Sequence, residues 1–476
     1  MRLSAQQLDR AVGAVLASAA GDALGSQYEF GPALDDDVVP GYGVGRFGHG
    51  RGEWTDDTSM AMPILKSLAT GRSLDDTDTM ARIVRTWREW AATAKDVGSQ
   101  TRAVLGRIPA DATEEQARAA SEDVHTRAGR SGGNGSLMRT GPVALGYLDR
   151  SPAELAAAAA RIAELTHWEP DNADACALWS LAIRHAILTG ELDVSAQLAW
   201  IPDDRRARWA DLIHEATRPG VHPRDFRSGN GWVVRAFQGA LAAITGATSL
   251  RDVLDRAVRG GADTDTVAAI AGSLAGAVHG GSALPLADKR MLHGWPGVDA
   301  NELTRLACLA ACGGAADRDG WPNADRAPVS MSSDHLYRHP HDDGVWLGSL
   351  AALDRLPPEV DAVVSLCRVG RTQVPEQLES VQVWLVDRPG KNANLDFVLT
   401  EAADVIAALR GEGKVVFVHC AEARSRTAAV AALYGVRHRG VGVTAAWRDV
   451  AAVLPDFAPA PFLRDAVDGI VLRAAV

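Results

Sequence analysis

The apolar residues of this chain change their period once. From Leu8 to about Ala311 they recur at helical spacing in Ala-rich stretches, as in LDRAVGAVLASAAGDALG, SPAELAAAAARIAEL, DACALWSLAIRHAIL and VAAIAGSLAGAVHG, with Gly/Asp loops between them. Small residues at that spacing let helices approach closely. Residues 1–312 therefore read as an all-helical domain of about ten helices, with function confined to the interruptions. The segment GGAADRDGWPNADRAPVS, residues 313–330, concentrates Gly, Pro, Asp and Asn and reads as a linker. Beyond it, in residues 331–476, DAVVSLC (361–367), VQVWLV (381–386) and KVVFVHC (414–420) are short β-branched runs of the kind that form buried parallel strands. Helical stretches such as FVLTEAADVIAALRGEG lie between them. The expected architecture is multidomain: an all-α domain, then a small α/β domain with a central, mostly parallel sheet and helices on both faces.

Charge and cysteine content narrow the function classes. The 476 residues carry 49 Lys and Arg against 60 Asp and Glu, a net charge of −11, which disfavours nucleic acid and acidic membrane surfaces as partners. With 13 Trp, 8 Phe and 5 Tyr there are also few platforms for stacking bases. The five cysteines, Cys176, Cys308, Cys312, Cys367 and Cys420, are odd in number and contain no C-x-x-C pair, so they read as reduced thiols rather than as disulfides or a zinc site. The opening ten residues mix Asp9 with two arginines and do not read as a signal peptide, and no uncharged apolar run of about 20 residues occurs. A cytoplasmic protein with no membrane partner is expected.

Two loops gather carboxylates. Trp54-Thr55-Asp56-Asp57-Thr58 and Gly260-Gly261-Ala262-Asp263-Thr264-Asp265-Thr266 each place two Asp and flanking Thr at the start of an apolar helical run. Residues two apart on a helix point about 200° apart, so Asp263 and Asp265 converge only if one of them sits in the loop before the helix. Oxygen donors without a matching His or Cys suit a hard ion such as Mg²⁺, or Mn²⁺. Ordinary N-capping also explains Asp and Thr at helix starts, but one acceptor caps a helix and the second carboxylate is left over. Two further elements accompany these loops. Gly21-Asp22-Ala23-Leu24-Gly25-Ser26 closes the first helix and is followed by Glu29; Gly132-Gly133-Asn134-Gly135-Ser136-Leu137-Met138-Arg139 opens a helix with three glycines, as a backbone-amide cradle for phosphate would.

In order along about 310 residues, GDALGS with Glu29, EWTDDTSM, GGNGSLMR, Thr166-His167 and GGADTDTVAAIAGSLAGA resemble the ADP-ribosylglycohydrolase family, which includes the dinitrogenase reductase-activating glycohydrolase. The resemblance implies an all-α fold and a binuclear Mg²⁺ or Mn²⁺ centre that hydrolyses the bond between ADP-ribose and an acceptor, often arginine. It also implies Thr55, Asp56, Asp57, Asp263, Asp265 and Thr266 as metal ligands, with Glu29 gating or contacting the site. Asn134, Gly135 and Ser136 would lie against the diphosphate and His167 would approach the ligand, although a structural histidine explains His167 equally well. Breaking an anomeric bond through an oxocarbenium-like state needs a base for water, and Asp56, Asp57 and Glu29 are the candidates, with no choice among them.

In the second domain, VVFVHC reads as a buried strand ending in the thiol of Cys420, then AEARS, Arg426-Thr427 and a helical stretch. C-x5-R at a strand-to-helix turn lets loop amides and a helix N-terminus bind an oxyanion while the Arg grips two phosphate oxygens and the thiolate attacks phosphorus. A core cysteine at a strand end is the bland alternative. The His419-Cys420-x5-Arg426-Thr427 segment resembles the protein tyrosine and dual-specificity phosphatase superfamily, which implies a general acid about 30 residues upstream; Asp387 is the candidate and Asp396 the runner-up. The sequence departs from that pattern at Ala423, where Gly is usual, and at Glu422, which adds negative charge to an anion-binding loop.

The expected activity is metal-dependent release of ADP-ribose from an ADP-ribosylated protein or small molecule, with an arginine-type N-glycosidic bond favoured, in a chain fused to a cysteine-phosphatase-like domain for which turnover of a phosphorylated substrate and a purely scaffolding role both stay open. Two other readings stay open: an ADP-ribose-binding regulatory protein without turnover, and a phosphatase acting on a phosphorylated ADP-ribose derivative or a phosphoprotein.

Overall fold

The computed structural model describes residues 2–322 and 335–474. The chain divides into two compact units, Met1–Leu284 with Met291–Ala315, and Pro285–Arg290 with Ala316–Val476. Residues 323–330 of the expected linker, and 331–334 at the start of the expected second domain, lie outside the described residues. No helix among the described residues is long and apolar enough to cross a membrane.

The first unit is helical. Fourteen α-helices run from Ala5 to Ala311, and one of them, Leu286–Met291, falls mainly in the second unit, which leaves thirteen among the described residues. The excess over the expected ten comes from short helices such as Ser99–Leu105 and Val143–Gly146, too brief to show a periodicity. The first helix, Ala5–Gly25, starts at a capping box in which Ser4 Oγ accepts from Gln7 N (3.1 Å) and Gln7 Oε1 accepts from Ser4 N (2.9 Å).

That helix lies backbone to backbone against the helix Thr264–His279. A Cβ at Gly13 would stand 2.1 Å from Gly276 O, at Gly21 2.3 Å from Ala268 O, at Gly25 2.4 Å from Asp265 Cα, and at Gly272 2.1 Å from Ala17 O. No side chain fits that seam, so the helices approach far more closely than side-chain packing allows. The seam carries Asp22 to Asp265. Around it, Trp179 and Trp209 both meet the edge of Phe237, with ring centroids 5.0 and 5.1 Å apart.

The second unit is built on a five-stranded sheet in the order Leu336–His339, Asp342–Ser349, Val415–Cys420, Val360–Ser365, Glu379–Gln382. Only the first pair is antiparallel; the other three pairings are parallel. Ala362 and Val364, with Val416 and Val418, join one core with the helices Leu395–Gly411, Arg426–Arg439, Val443–Val453 and Pro461–Ala474. Val363 and Phe417, alternating with them, face the other way. There the cover is the 3₁₀ turn Leu350–Arg355 and loop residues such as Val369 and Leu378, not helices, which corrects the expectation of helices on both faces. The reason is chain length: Leu350 to Glu359 is too short for a crossover helix beyond that 3₁₀ turn, and the next connection is interrupted by Gly370 and Pro375. The expected strand 381–386 also ends early, at Gln382.

A carboxylate centre and a cysteine loop

Asp22 organises the first site. Its Oδ1 accepts from Thr55 N and Oγ1 (both 2.8 Å), and its Oδ2 from Thr58 N (2.9 Å) and Oγ1 (2.6 Å). It therefore caps the helix Asp56–Ala69 from outside, while Thr55, the N-cap residue, makes no capping bond with its own side chain. Asp263 is likewise the N-cap of Thr264–His279 without a side-chain capping bond, and Asp265 sits in that helix's first turn. Capping therefore accounts for neither Asp/Thr loop.

Carboxylate oxygens of Asp22, Asp57 and Asp265 all lie within 4.8 Å of one another, and all three residues are buried. Thr55 Oγ1 is shared between Asp22 and Asp57 Oδ2 (3.1 Å), and Thr266 N donates to Asp265 Oδ1 (2.9 Å). Burial, then neighbouring carboxylates, push Asp57 and Asp265 well above the ordinary carboxylate range. Asp22 is raised by burial and partly held down by its Thr58 and Thr55 hydrogen bonds. Asp56 and Glu29 are each pushed up to about 8, again by burial first and then by surrounding acids, among them Asp96 and Asp263.

This donor set fits a hard divalent cation. Asp57 Oδ1 is buried without a hydrogen-bond partner among the described residues, every donor is oxygen, and the enclosed carboxylates repel one another with no cationic side chain among them. A cation there would satisfy all three conditions.

The expected binding turn differs from its reading in the sequence. Gly132–Arg139 does not open a helix; Asn134–Ser136 is a single 3₁₀ turn, because the glycines and the following Thr140-Gly141-Pro142 do not propagate one. Asn134 Nδ2 donates to Asp263 Oδ2 (2.8 Å) and to Asn230 O (3.0 Å), so this side chain positions a carboxylate. Ser136 Oγ is enclosed and taken by Asn172 Nδ2 (2.6 Å) and Cys176, which leaves only its backbone for a ligand. Gly135 packs under His167: a Cβ there would stand 3.2 Å from Nε2. His167 is buried, with Nδ1 2.7 Å from Thr166 Oγ1.

Three residues to which the sequence reading assigned no role join the site. Asp22 was visible there only as part of the Gly21–Ser26 element that closes the first helix, not as a partner of Asp57 and Asp265. Asp96 acts electrostatically on Asp56 and Glu29, and the loop that carries it brings Gly98 to Asp56, a Cβ there standing 3.9 Å from Oδ2. Trp232, 40% exposed, bridges to Gly133 and packs on Gly132, where a Cβ would stand 2.9 Å from the indole.

In the second unit Cys420 ends the strand Val415–Cys420 and Arg426 begins the helix Arg426–Arg439. Ala423, between them, has φ +59°, the left-handed conformation that explains why Gly is usual there. Arg426 Nη1 donates to Leu366 O (2.7 Å) and Leu385 O (3.2 Å), just past the ends of two strands. Its Nε, and Thr427 Oγ1, are buried with no hydrogen-bond partner among the described residues. Asp387 lies at the loop, accepting from Ser425 Oγ (2.9 Å), with Oδ2 3.7 Å from Arg426 Nε. The runner-up Asp396 does not; it is half exposed and pairs with Arg473. Glu422 is drawn to Arg424 at 3.6 Å. His419 is buried, with Nε2 2.8 Å from Ser365 Oγ, and burial lowers its pKa to about 4.

The family model described as ADP-ribosylglycohydrolase matches residues 3–319. The chain is similar to the ADP-ribosylarginine hydrolase Tri1 of Pseudomonas putida (strain GB-1), 31% identical over 284 residues that cover 59% of this chain and 73% of that protein. It is also similar to the ADP-ribosyl-[dinitrogen reductase] glycohydrolase of Rhodospirillum rubrum, 29% identical over 285 residues, 58% of this chain and 88% of that one. Among solved structures, human DUSP28 aligns over 30% of this chain and 100% of its own, at 23% identity and a TM-score of 0.28.

Proposed function

The chain belongs to the ADP-ribosylglycohydrolase family, and on that premise we propose that its first unit hydrolyses the N-glycosidic bond between ADP-ribose and an arginine side chain. The observation that carries the reading is the enclosed Asp22, Asp57 and Asp265 cluster with its unpartnered Asp57 Oδ1. Two divalent ions, Mg²⁺ or Mn²⁺, would be held there by these three residues together with Thr55, Asp56, Asp263 and Thr266. Bound in that position they would supply charge that offsets the carboxylates and Lewis-acid polarisation of ligand oxygens. Asp57 has no exposed surface with which to meet a water, whereas Asp56 and Glu29 keep some, which leaves proton removal from water to one of those two. Asp96 offers a negative charge for a guanidinium acceptor, and Trp232 a flat face for the adenine. Purified protein should release ADP-ribose from an ADP-ribosylarginine peptide with Mg²⁺ or Mn²⁺; full activity in EDTA would sink the metal reading, and no release from any ADP-ribosylated substrate would favour a binding protein without turnover.

For the second unit we propose a cysteine-dependent phosphatase site, supported by Arg426 Nε and Thr427 Oγ1, which are buried without hydrogen-bond partners among the described residues at the start of the helix that follows the Cys420 loop. Cys420 sulfur would attack phosphorus, Arg426 would hold the equatorial oxygens, and Asp387 would pass a proton to the departing oxygen. Phosphate release from an aryl phosphate should vanish in Cys420→Ser while ADP-ribose release persists.

A further inference from the structure

Arg139, Thr166 and His167 form a hydrogen-bonded chain that runs in one direction. Arg139 is wholly enclosed and stacks on Trp87, with its guanidinium carbon 4.2 Å from the ring centroid; no carboxylate among the described residues pairs with it. Its Nη2 donates to Thr166 Oγ1 (2.6 Å) and Ile162 O (3.3 Å). Burial lowers its pKa to about 9, which leaves it charged at neutral pH. A guanidinium can only donate, so Thr166 Oγ1 accepts from it.

The hydroxyl has a single proton, and its remaining partner is His167 Nδ1 at 2.7 Å. Were the ring proton on Nδ1, the hydroxyl would accept twice and its own proton would be buried with no acceptor, the costly case for an enclosed donor. Nδ1 therefore accepts. Desolvation and the Arg139 charge both keep the ring neutral, so its one proton is on Nε2. Nε2 faces the glycine turn, 3.3 Å from where a Gly133 Cβ would stand and 3.2 Å from a Gly135 Cβ, and makes no hydrogen bond among the described residues. The opposite tautomer would turn a lone pair toward that turn and repel an anion.

We propose that Arg139 and Thr166 are positioning residues that fix His167 as an Nε2–H donor over the Gly132–Ser136 turn, where it gives a hydrogen bond to an anionic oxygen of the ligand. That the oxygen belongs to a phosphate of ADP-ribose rests on the proposed function; the tautomer does not.

Nitrogen-15 imidazole spectra of the full, metal-free chain separate the two, with the His167 signals assigned by their loss in His167→Gln. The wild type should show Nε2–H from pH 6 to 8. Thr166→Val should give a mixed tautomer and weaken free ADP-ribose binding about tenfold, the loss of roughly one hydrogen bond to charge, whereas Thr166→Ser should keep the tautomer and bind within about twofold of wild type. A wild-type ring in the Nδ1–H or doubly protonated form overturns the proposal, and so does an unchanged tautomer in Thr166→Val. If that variant fails to fold, the wild-type spectrum and the Arg139→Lys variant, expected to retain Nε2–H, still decide it. A wild-type protein that shows Nε2–H yet binds no ADP-ribose would uphold the relay and overturn the functional reading alone.

Discussion

Asp22 Oδ1 accepts both the amide and the hydroxyl of Thr55, each at 2.8 Å, so an acid at the end of one helix caps the start of another and joins the carboxylates gathered there. Asp22→Asn keeps the shape but turns an amide donor toward the donors of Thr55 or Thr58. Mn²⁺ binding followed by calorimetry should weaken at least about tenfold, and the metal-loaded protein should melt several degrees lower. Unchanged affinity would remove Asp22 from the centre.

The glycine seam has a separate readout. Gly272→Ala sets a methyl 2.1 Å from Ala17 O, which only backbone movement can relieve. A stability loss of about 1–3 kcal/mol is expected from overpacking, measured by denaturant unfolding. Because the same two helices carry Asp22 and Asp265, metal affinity should fall with it, whereas a control at exposed Ala92 should change neither.

The pH dependence of the metal-free protein follows from Glu29 and Asp56. Their ordinary values are 4.5 and 3.8, and in the fold both stand at about 8. The folded chain keeps protons that the unfolded chain has released, so this contribution to stability is complete below about pH 4 and is lost as pH rises through about 8. Melting temperature in EDTA should fall between pH 6 and 9, and added Mg²⁺ or Mn²⁺ should reverse the fall. A flat profile in EDTA would contradict the crowding of carboxylates.

Ala423 has φ +59° in the cysteine loop. Ala423→Gly should leave unfolding unchanged or raise stability by up to about 1 kcal/mol, and Ala423→Val should lower it by about 1–2 kcal/mol, since a branched side chain is worse still in that region. If phosphate release is limited by loop geometry, the Gly variant should be the faster of the two.

The two Asp/Thr loops and the C-x5-R segment were legible because each is local: the residues that act together lie within a few positions of a helix start or a strand end. The segment carrying Asn134 and Ser136 was legible as a glycine-rich interruption, but neither as a 3₁₀ turn nor by its partners, since Asp263 and Asn172 are supplied by distant segments. Asp96 left no mark, because an acid in an exposed-looking loop has no periodicity to distinguish it.

The amino-acid order alone determined the helical first part, the change to β-branched strands and the positions of two acidic helix starts, because hydrophobic period and turn chemistry act over a handful of residues. Only the tertiary structure decided that Asp22 belongs with Asp57 and Asp265, that helices cover one face of the sheet, and that Arg139 reaches His167 through Thr166. Those outcomes depend on how closely two backbones can pass and on which donor is left without an acceptor, quantities that exist only once segments far apart in sequence are packed together.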